Sequence, residues 1–517
     1  MKPFLKNLLL LCSVIGMFGC HTIPDKQWVL VCEPGQSCDD HALDHAIQPP
    51  KDSIYIDSSG WHTRRAPPAE VQPPNWVRTE FVKAYLEFDQ QGRPFDPRQL
   101  EAIQRYLQPK TSTSPTTPLL ILVYVHGWHH NADTSQTDET ANVVKFDYLL
   151  ARAVDSLKRT GHGNYRVLGI YVGWQGEQTR VPIASLLSIG ARAAVADAIG
   201  RPQAPDGATE GRLRDSLQKI ATDMRARKDD SRMIVIGHSL GGRILSRAFM
   251  AELAEGNPQP MGPGTIVNPI NAAIGAEAYR NLFERHKSSI ALAGPPTWIN
   301  ITGDTDHATG QVYPLALALH LLHPDNDGED AKHTVGHHLP YVTHTFDVKD
   351  CAVNDEKGAR GCEPSTTMDL LVQKRAWETL ATPFALRYTN SHPIENGSPA
   401  HRDYCGLFLP RVGFAAPYRT AASAGICLGL VDDVRHIASG TLDMASGPLN
   451  GRLWNIRTSD RVIDFAESRF FEFSTHNGYV QTNWTRLLVE LVMADTIYPP
   501  KDQQSAASAR AQSPEAR

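Results

Sequence analysis

Residues 233–242 read Met-Ile-Val-Ile-Gly-His-Ser-Leu-Gly-Gly. The apolar run 233–236 has the length and content of a strand buried on both faces. From 244 to 253 apolar residues return at helical spacing, so the strand must turn into a helix within a few residues. Ser239 sits in that turn. A tight strand-to-helix bend pushes its middle side chain outward, and Gly237 and Gly241, two before and two after, let the backbone close without side-chain clash. The helix beyond aims amide N–H groups and the positive end of its dipole at the same place. With the extra Gly242, the pattern is that of a presented nucleophilic serine.

Strands and helices alternate outward from this point. Phe81–Phe88 is strand-like and closes on the turn Asp89-Gln90-Gln91-Gly92. Asp96-Pro97 opens a helix with Leu100, Ile103 and Leu107 on one face. Leu119–Val125 is an unbroken apolar run, followed by a helix over 139–158 and a strand over 167–172. Leu213, Leu217, Ile220 and Met224 mark another amphipathic helix, and 297–302 a further strand. This alternation predicts an α/β fold, a mostly parallel doubly wound sheet with helices on both faces. Its core is expected over 76–310 and again over 465–500, where Phe470-Phe471-Glu472-Phe473 reads as the last strand and Leu487, Leu488, Leu491 and Val492 as the apolar side of the last helix. A Ser/Ala/Gln-rich tail, 501–517, reads as disordered.

A second motif, Val123-Tyr124-Val125-His126-Gly127-Trp128-His129-His130-Asn131-Ala132, ends the apolar strand. Together with the serine turn, Asn142-Val143, Phe146 and Val172-Gly173-Trp174-Gln175-Gly176, it resembles the α/β-hydrolase superfamily in its lipase/esterase-like form. The resemblance covers roughly 80–310 and 465–497. It implies a Ser-acid-His order along the chain and no metal or organic cofactor. The strand end Gly303-Asp304-Thr305-Asp306 offers two acids, and the Gly-x-x-Asp seen at this place in the superfamily selects Asp306 over Asp304. His476, between the last strand and last helix, is implied as the base. Trp128 and Leu240 are implied to give the oxyanion-hole amides, with His129 and His130 as rim residues. Residues 311–464 are then an insertion of the lid or cap kind. The reaction implied is acyl transfer from an ester, small or lipidic, to water. Two other classes stay open: an envelope protein using the fold only for binding, and a hydrolase of a thioester or amide.

The N-terminal residues lead to an expectation of the cell envelope. Lys2 and Lys6 precede an apolar run over 8–18, too short to span a bilayer and built like an export signal, 1–19. Its end, Met17-Phe18-Gly19-Cys20, resembles the lipobox of bacterial lipoproteins, in which the cysteine becomes the acylated first residue. Palmitate-like chains would then hold the protein to a membrane. His21, where an Asp would signal inner-membrane retention, points to the outer membrane. Residues 20–75 are expected to be a tether plus an ordered loop. Of 8 cysteines, the six beyond Cys12 and Cys20 fall as sequence neighbours, Cys32 with Cys38, Cys351 with Cys362 and Cys405 with Cys427, and local disulfides are expected in an oxidising space, although six cysteines allow fifteen pairings. The chain of 517 residues carries 51 Lys plus Arg against 56 Asp plus Glu, with no basic block, which excludes the electrostatic footprint of a nucleic-acid binder. His320, His323, His333, His337, His338 and His344 crowd one stretch, but at no spacing of a known metal site.

Overall fold

The computed structural model describes residues 23–32, 38, 42–43, 46–50, 53–56, 62–63, 77–108, 117–136, 141–159, 162–179, 188–202, 211–257, 259–286, 296–324, 328–342, 344–350, 385–390, 424–430, 453–458, 463, 476–477 and 483–493. The expected signal segment with Cys20, the strand at 470–473, the tail, and Cys351, Cys362 and Cys405 lie outside them.

A small antiparallel sheet, β1 (Ile54–Ile56), β2 (His62–Thr63) and β3 (Val77–Thr79), precedes the main one. The main sheet contains β4 (Phe81–Phe88), β5 (Leu119–Val125), β6 (Arg166–Trp174), β7 (Arg232–His238), β8 (Thr265–Ile270), β9 (Trp298–Gly303), β10 (His344–Asp350), β11 (Ala385–Asn390), β12 (Ala424–Leu430) and β13 (Leu453–Thr458). Its spatial order is β11-β12-β10-β13-β9-β8-β7-β5-β6-β4. The seven strands from β4 to β13 all run parallel, and β10 continues them. Within this sheet the direction reverses at β12, which is antiparallel to β10.

Among the described residues the helices are α1 (Arg98–Leu107), α2 (Asn142–Arg159), α3 (Ile189–Gly200), α4 (Leu213–Ala226), α5 (Leu240–Glu255), α6 (Arg280–His286), α7 (Tyr313–Ala318) and α8 (Asn483–Met493). They cover both faces, as the alternation of β5 shows. Leu120, Leu122 and Tyr124 pack into one core with α2 and α8 residues such as Leu150 and Leu488. Leu119, Ile121, Val123 and Val125 pack into the other with α1, α3, α4 and α5. Successive side chains of a strand point to opposite faces, so an unbroken apolar run is what two covered faces require. The chain is therefore an α/β protein. Among the described residues no helix is long and apolar enough to cross a membrane.

Two sequence-based boundaries move. Residues 23–30, expected to be tether, are held on the sheet: the Trp28 and Val29 amides donate to Glu87 (2.8 Å each), and the Ile23 amide to the Gln178 carbonyl (2.8 Å). Polar composition concealed this because the attachment runs through backbone amides. The core also continues inside 311–464, where β13 lies against β9 and β10 against β13. Buried Asn455 broke the apolar pattern of β13. It is fully bonded, donating to the Val335 and Tyr341 carbonyls (3.0 and 2.8 Å) and accepting from Asn300 (2.6 Å).

Cys32 and Cys38 form a disulfide with Cα atoms 5.7 Å apart. Cys427 falls in β12, and its expected partner Cys405 is outside the described residues.

Candidate active site

Chain order fixes where a crevice must open. From β5 the chain moves to β6 on one side, whereas from β7 it moves to β8 on the other. The connections leaving the carboxyl ends of β5 and β7 therefore diverge, which is where ligands bind in open α/β sheets. Both motifs stand there: His126-Gly127 leaves β5, and Ser239 leaves β7.

Ser239 has φ +56° and ψ −116°, a backbone conformation a serine rarely adopts. The surroundings hold it. Its amide donates to the Ile270 carbonyl (3.0 Å), and its carbonyl accepts from the Ala273 and Arg243 amides (3.1 and 3.2 Å). A Cβ on Gly241 would overlap the Val125 carbonyl oxygen, and one on Gly237 would come within 2.6 Å of the Gly241 oxygen. The bend closes because both positions lack one. Arg243, one turn into α5, is bidentate to Asp197 on α3 at 2.7 Å twice, which anchors the helix behind the serine.

The structure brings His476 and Asp306 to this serine. His476 Nε2 is 3.0 Å from Ser239 Oγ, and its Nδ1 is 3.0 Å from both Asp306 oxygens. All three residues are buried. A carboxylate only accepts, so Nδ1 carries the proton and Nε2 faces the hydroxyl as an acceptor. Asp306 Oδ1 also accepts the Ala308 and Thr309 amides (3.0 and 3.3 Å), and Oδ2 the Thr309 hydroxyl (2.5 Å). Burial pushes the Asp306 carboxyl up, but the His476 imidazole and the hydrogen bonds from His476 and Thr309 outweigh it and leave the group below the ordinary carboxylate range. Asp304 is exposed, and its amide is spent on the Thr458 carbonyl (2.8 Å).

His126 locks the loop that carries Gly127. Trp174 N–H donates to its Nε2 (3.1 Å), which leaves Nδ1 as the donor to the Gly127 carbonyl (2.9 Å). The ring stacks on Trp174 at 5.3 Å, and burial lowers its pKa to about 4, so it stays neutral. A Cβ on Gly127 would lie 2.9 Å from Ser239 Cβ. Trp128 therefore directly follows a residue packed close against the serine. Leu240, the first residue of α5, has no intrahelical acceptor for its amide. His129 is exposed and His130 half-buried.

Two residues at the site carried no sequence signal. His238 Nε2 (2.7 Å) and Asn271 Nδ2 (3.0 Å) both donate to the His476 carbonyl. Asn271, at φ +47°, also accepts the Gly303 amide on Oδ1 (3.0 Å). It thereby ties the end of β8, the end of β9 and the imidazole loop together. An Asn following a strand is a hint only because Asn tolerates positive φ. Of the crowded histidines, His337 reaches the site region through Thr309 (3.1 Å). Among the described residues no group of three or more metal-ligating side chains assembles. No family model, curated protein or solved structure matches this chain.

Proposed function

We propose that this chain is a serine hydrolase of the α/β-hydrolase type that cleaves carboxylic esters, with Ser239 as nucleophile, His476 as base and Asp306 as the residue that orients it. The carrying observation is the continuous array Ser239 Oγ, His476 Nε2/Nδ1 and Asp306, with 3.0 Å at each step, on a strained strand-to-helix bend. Ser239 Oγ attacks the ester carbonyl carbon while its proton passes to His476 Nε2. The carbonyl oxygen becomes an oxyanion, for which the Trp128 and Leu240 amides are the proposed donors. Collapse expels the alcohol, which takes the proton from Nε2. Water then hydrolyses the acyl-enzyme by the same path, and no metal or organic cofactor is required. The strand-crossing 311–464 region, apart from its sheet strands, is the proposed lid or cap.

The same reading puts the protein on a membrane through acylated Cys20, with small or lipidic esters as substrates. Ile23 is bonded beside Gln175 and Gln178, and Gly176 next to them approaches the Gly127 carbonyl. Ile23 lies three residue steps beyond Cys20, a reach of at most about 10 Å. An acyl anchor at Cys20 would therefore keep the catalytic edge near the lipid surface.

The test is labelling by a fluorophosphonate, which reacts only with an activated serine, alongside hydrolysis of p-nitrophenyl esters of short and long acyl chain. Wild type is expected to label and turn over, and Ser239→Ala to do neither while remaining folded. Equal turnover by Ser239→Ala would remove the serine from the mechanism, and absence of labelling in wild type would favour a binding role.

A further inference from the structure

We infer that the Ser239–His476–Asp306 array continues through Thr309 to His337, and that His337 is a positioning residue that holds the Thr309 hydroxyl on the acid. The inference rests on the serine-hydrolase reading. Its geometry is fixed by proton counting. Thr309 Oγ1 lies 2.5 Å from Asp306 Oδ2 and 3.1 Å from His337 Nε2. A hydroxyl has one proton, and an ionised carboxylate can only accept it. Thr309 therefore donates to Asp306, and its oxygen must accept from His337, whose Nε2 carries the hydrogen.

The histidine is placed for this by the fold. Its amide donates to the Thr334 carbonyl (2.9 Å), and the Thr334 hydroxyl donates to the Thr309 carbonyl (3.2 Å). Residues 333–335 run antiparallel to 274–276, with the Ala276 amide on the His333 carbonyl (2.9 Å) and the Val335 amide on the Ile274 carbonyl (3.1 Å). Asn455 of β13 bonds the Val335 carbonyl from the other side (3.0 Å). The ring lies over Gly310, where a Cβ would come within 2.9 Å of His337 Cε1. Burial lowers its pKa despite the pull of Asp306, with Arg457, His333 and His476 also opposing a charge there. A neutral donor thus faces the threonine. With its hydroxyl fixed, the Asp306 carboxylate cannot rotate, and both oxygens stay equidistant from Nδ1.

The experiment compares fluorophosphonate labelling rates and p-nitrophenyl ester kcat/KM for full-length wild type, Thr309→Val, Thr309→Ser, His337→Leu and His337→Gln, with Ser239→Ala as the blank. Gln can return a side-chain N–H near the position of Nε2, and Ser returns the hydroxyl. Thr309→Val is expected to lose about ten- to a hundredfold, the fold-change of a hydrogen bond to a charged group, with Thr309→Ser near wild type. His337→Leu is expected to lose about three- to tenfold, as for a neutral hydrogen bond, and His337→Gln to recover most of it. A structural role alone would not be rescued by glutamine. If Thr309→Val does not fold, the His337 pair decides. A labelled wild type with unaffected Thr309→Val and His337→Leu overturns the relay alone, as does His337→Gln as slow as His337→Leu. An unlabelled wild type overturns the hydrolase reading and the relay with it.

Discussion

Replacing Ser239 by glycine should make the protein more stable than replacing it by alanine. Alanine keeps a Cβ at φ +56°, ψ −116° and so keeps the backbone strain, while losing the hydroxyl bond to His476. Glycine loses the same bond and the strain together. A residue held in a sparsely populated region costs about 1–3 kcal/mol. Against this, glycine gives the unfolded chain extra freedom worth about 0.5–1 kcal/mol. The difference leaves glycine ahead of alanine by roughly 0–2.5 kcal/mol, with a centre near 1 kcal/mol. At an ordinary negative φ only the entropy term would act, and alanine would win. The sign alone is therefore informative. Denaturant midpoints of the two variants, measured side by side, give the comparison directly. A Ser239→Gly protein less stable than Ser239→Ala would refute the claim that the fold stores strain at this residue.

Two further outcomes follow from buried polar groups away from the serine. Asn268→Leu removes the donor to the Ile299 carbonyl (2.5 Å) and the acceptor of Trp484 Nε1 (2.8 Å), and two buried groups left without partners should cost about 2–6 kcal/mol; a loss under about 1 kcal/mol in denaturant unfolding would contradict this. Glu87 is pushed up to about 7 by burial, against the hydrogen bonds from Trp28, Val29 and Gln99. Because its folded pKa lies above the unfolded value of 4.5, its stabilising contribution is complete below about pH 4.5 and is lost as pH rises through about 7. The stability of wild type relative to Glu87→Gln should therefore fall by about 3 kcal/mol across that window, and a pH-independent difference would show that the carboxyl titrates normally.

How much could be read beforehand depended on whether a residue's role left a trace in apolar pattern or turn chemistry. β5, with seven buried residues in a row, and the amphipathic α4 were plain. So was Ser239, between glycines, whereas Asp306 and His476 were singled out by the resemblance. β8 was not read, because Thr-Ile-Val-Asn-Pro-Ile contains a proline, and proline argues against a central strand. The structure resolves the conflict locally. Val267 and Asn271 donate to the Thr297 and Ile301 carbonyls (2.9 Å each), so the ladder would have residue 269 donate to Ile299. Pro269 has no N–H, and the Asn268 side-chain amide supplies that bond instead. Asn271, His238 and Thr309 act through hydrogen bonds to backbone or carboxylate, which no periodicity reports.

The distance along the chain between the three central residues is large, yet it costs the sheet little to bring them together. Gly127 follows β5, Ser239 follows β7, Asn271 follows β8 and Asp306 lies just beyond β9, so parallel strands deliver all four to one edge. His476 comes from the segment between β13 and α8, and β13 is registered to β9 with Gly303 opposite Thr458. The bond from the Asp304 amide to the Thr458 carbonyl continues that register past the strand ends. Trp484 of α8 bonds Asn268 of β8, which ties the start of that helix to the sheet. Between β13 and α8, the His476 carbonyl is held by His238 and Asn271. The geometry at Ser239 is set by strand register and buried amides as well as by the Ser239, His476 and Asp306 side chains, so substitutions at Asn268, Asn271 or Asn455 should disturb the array.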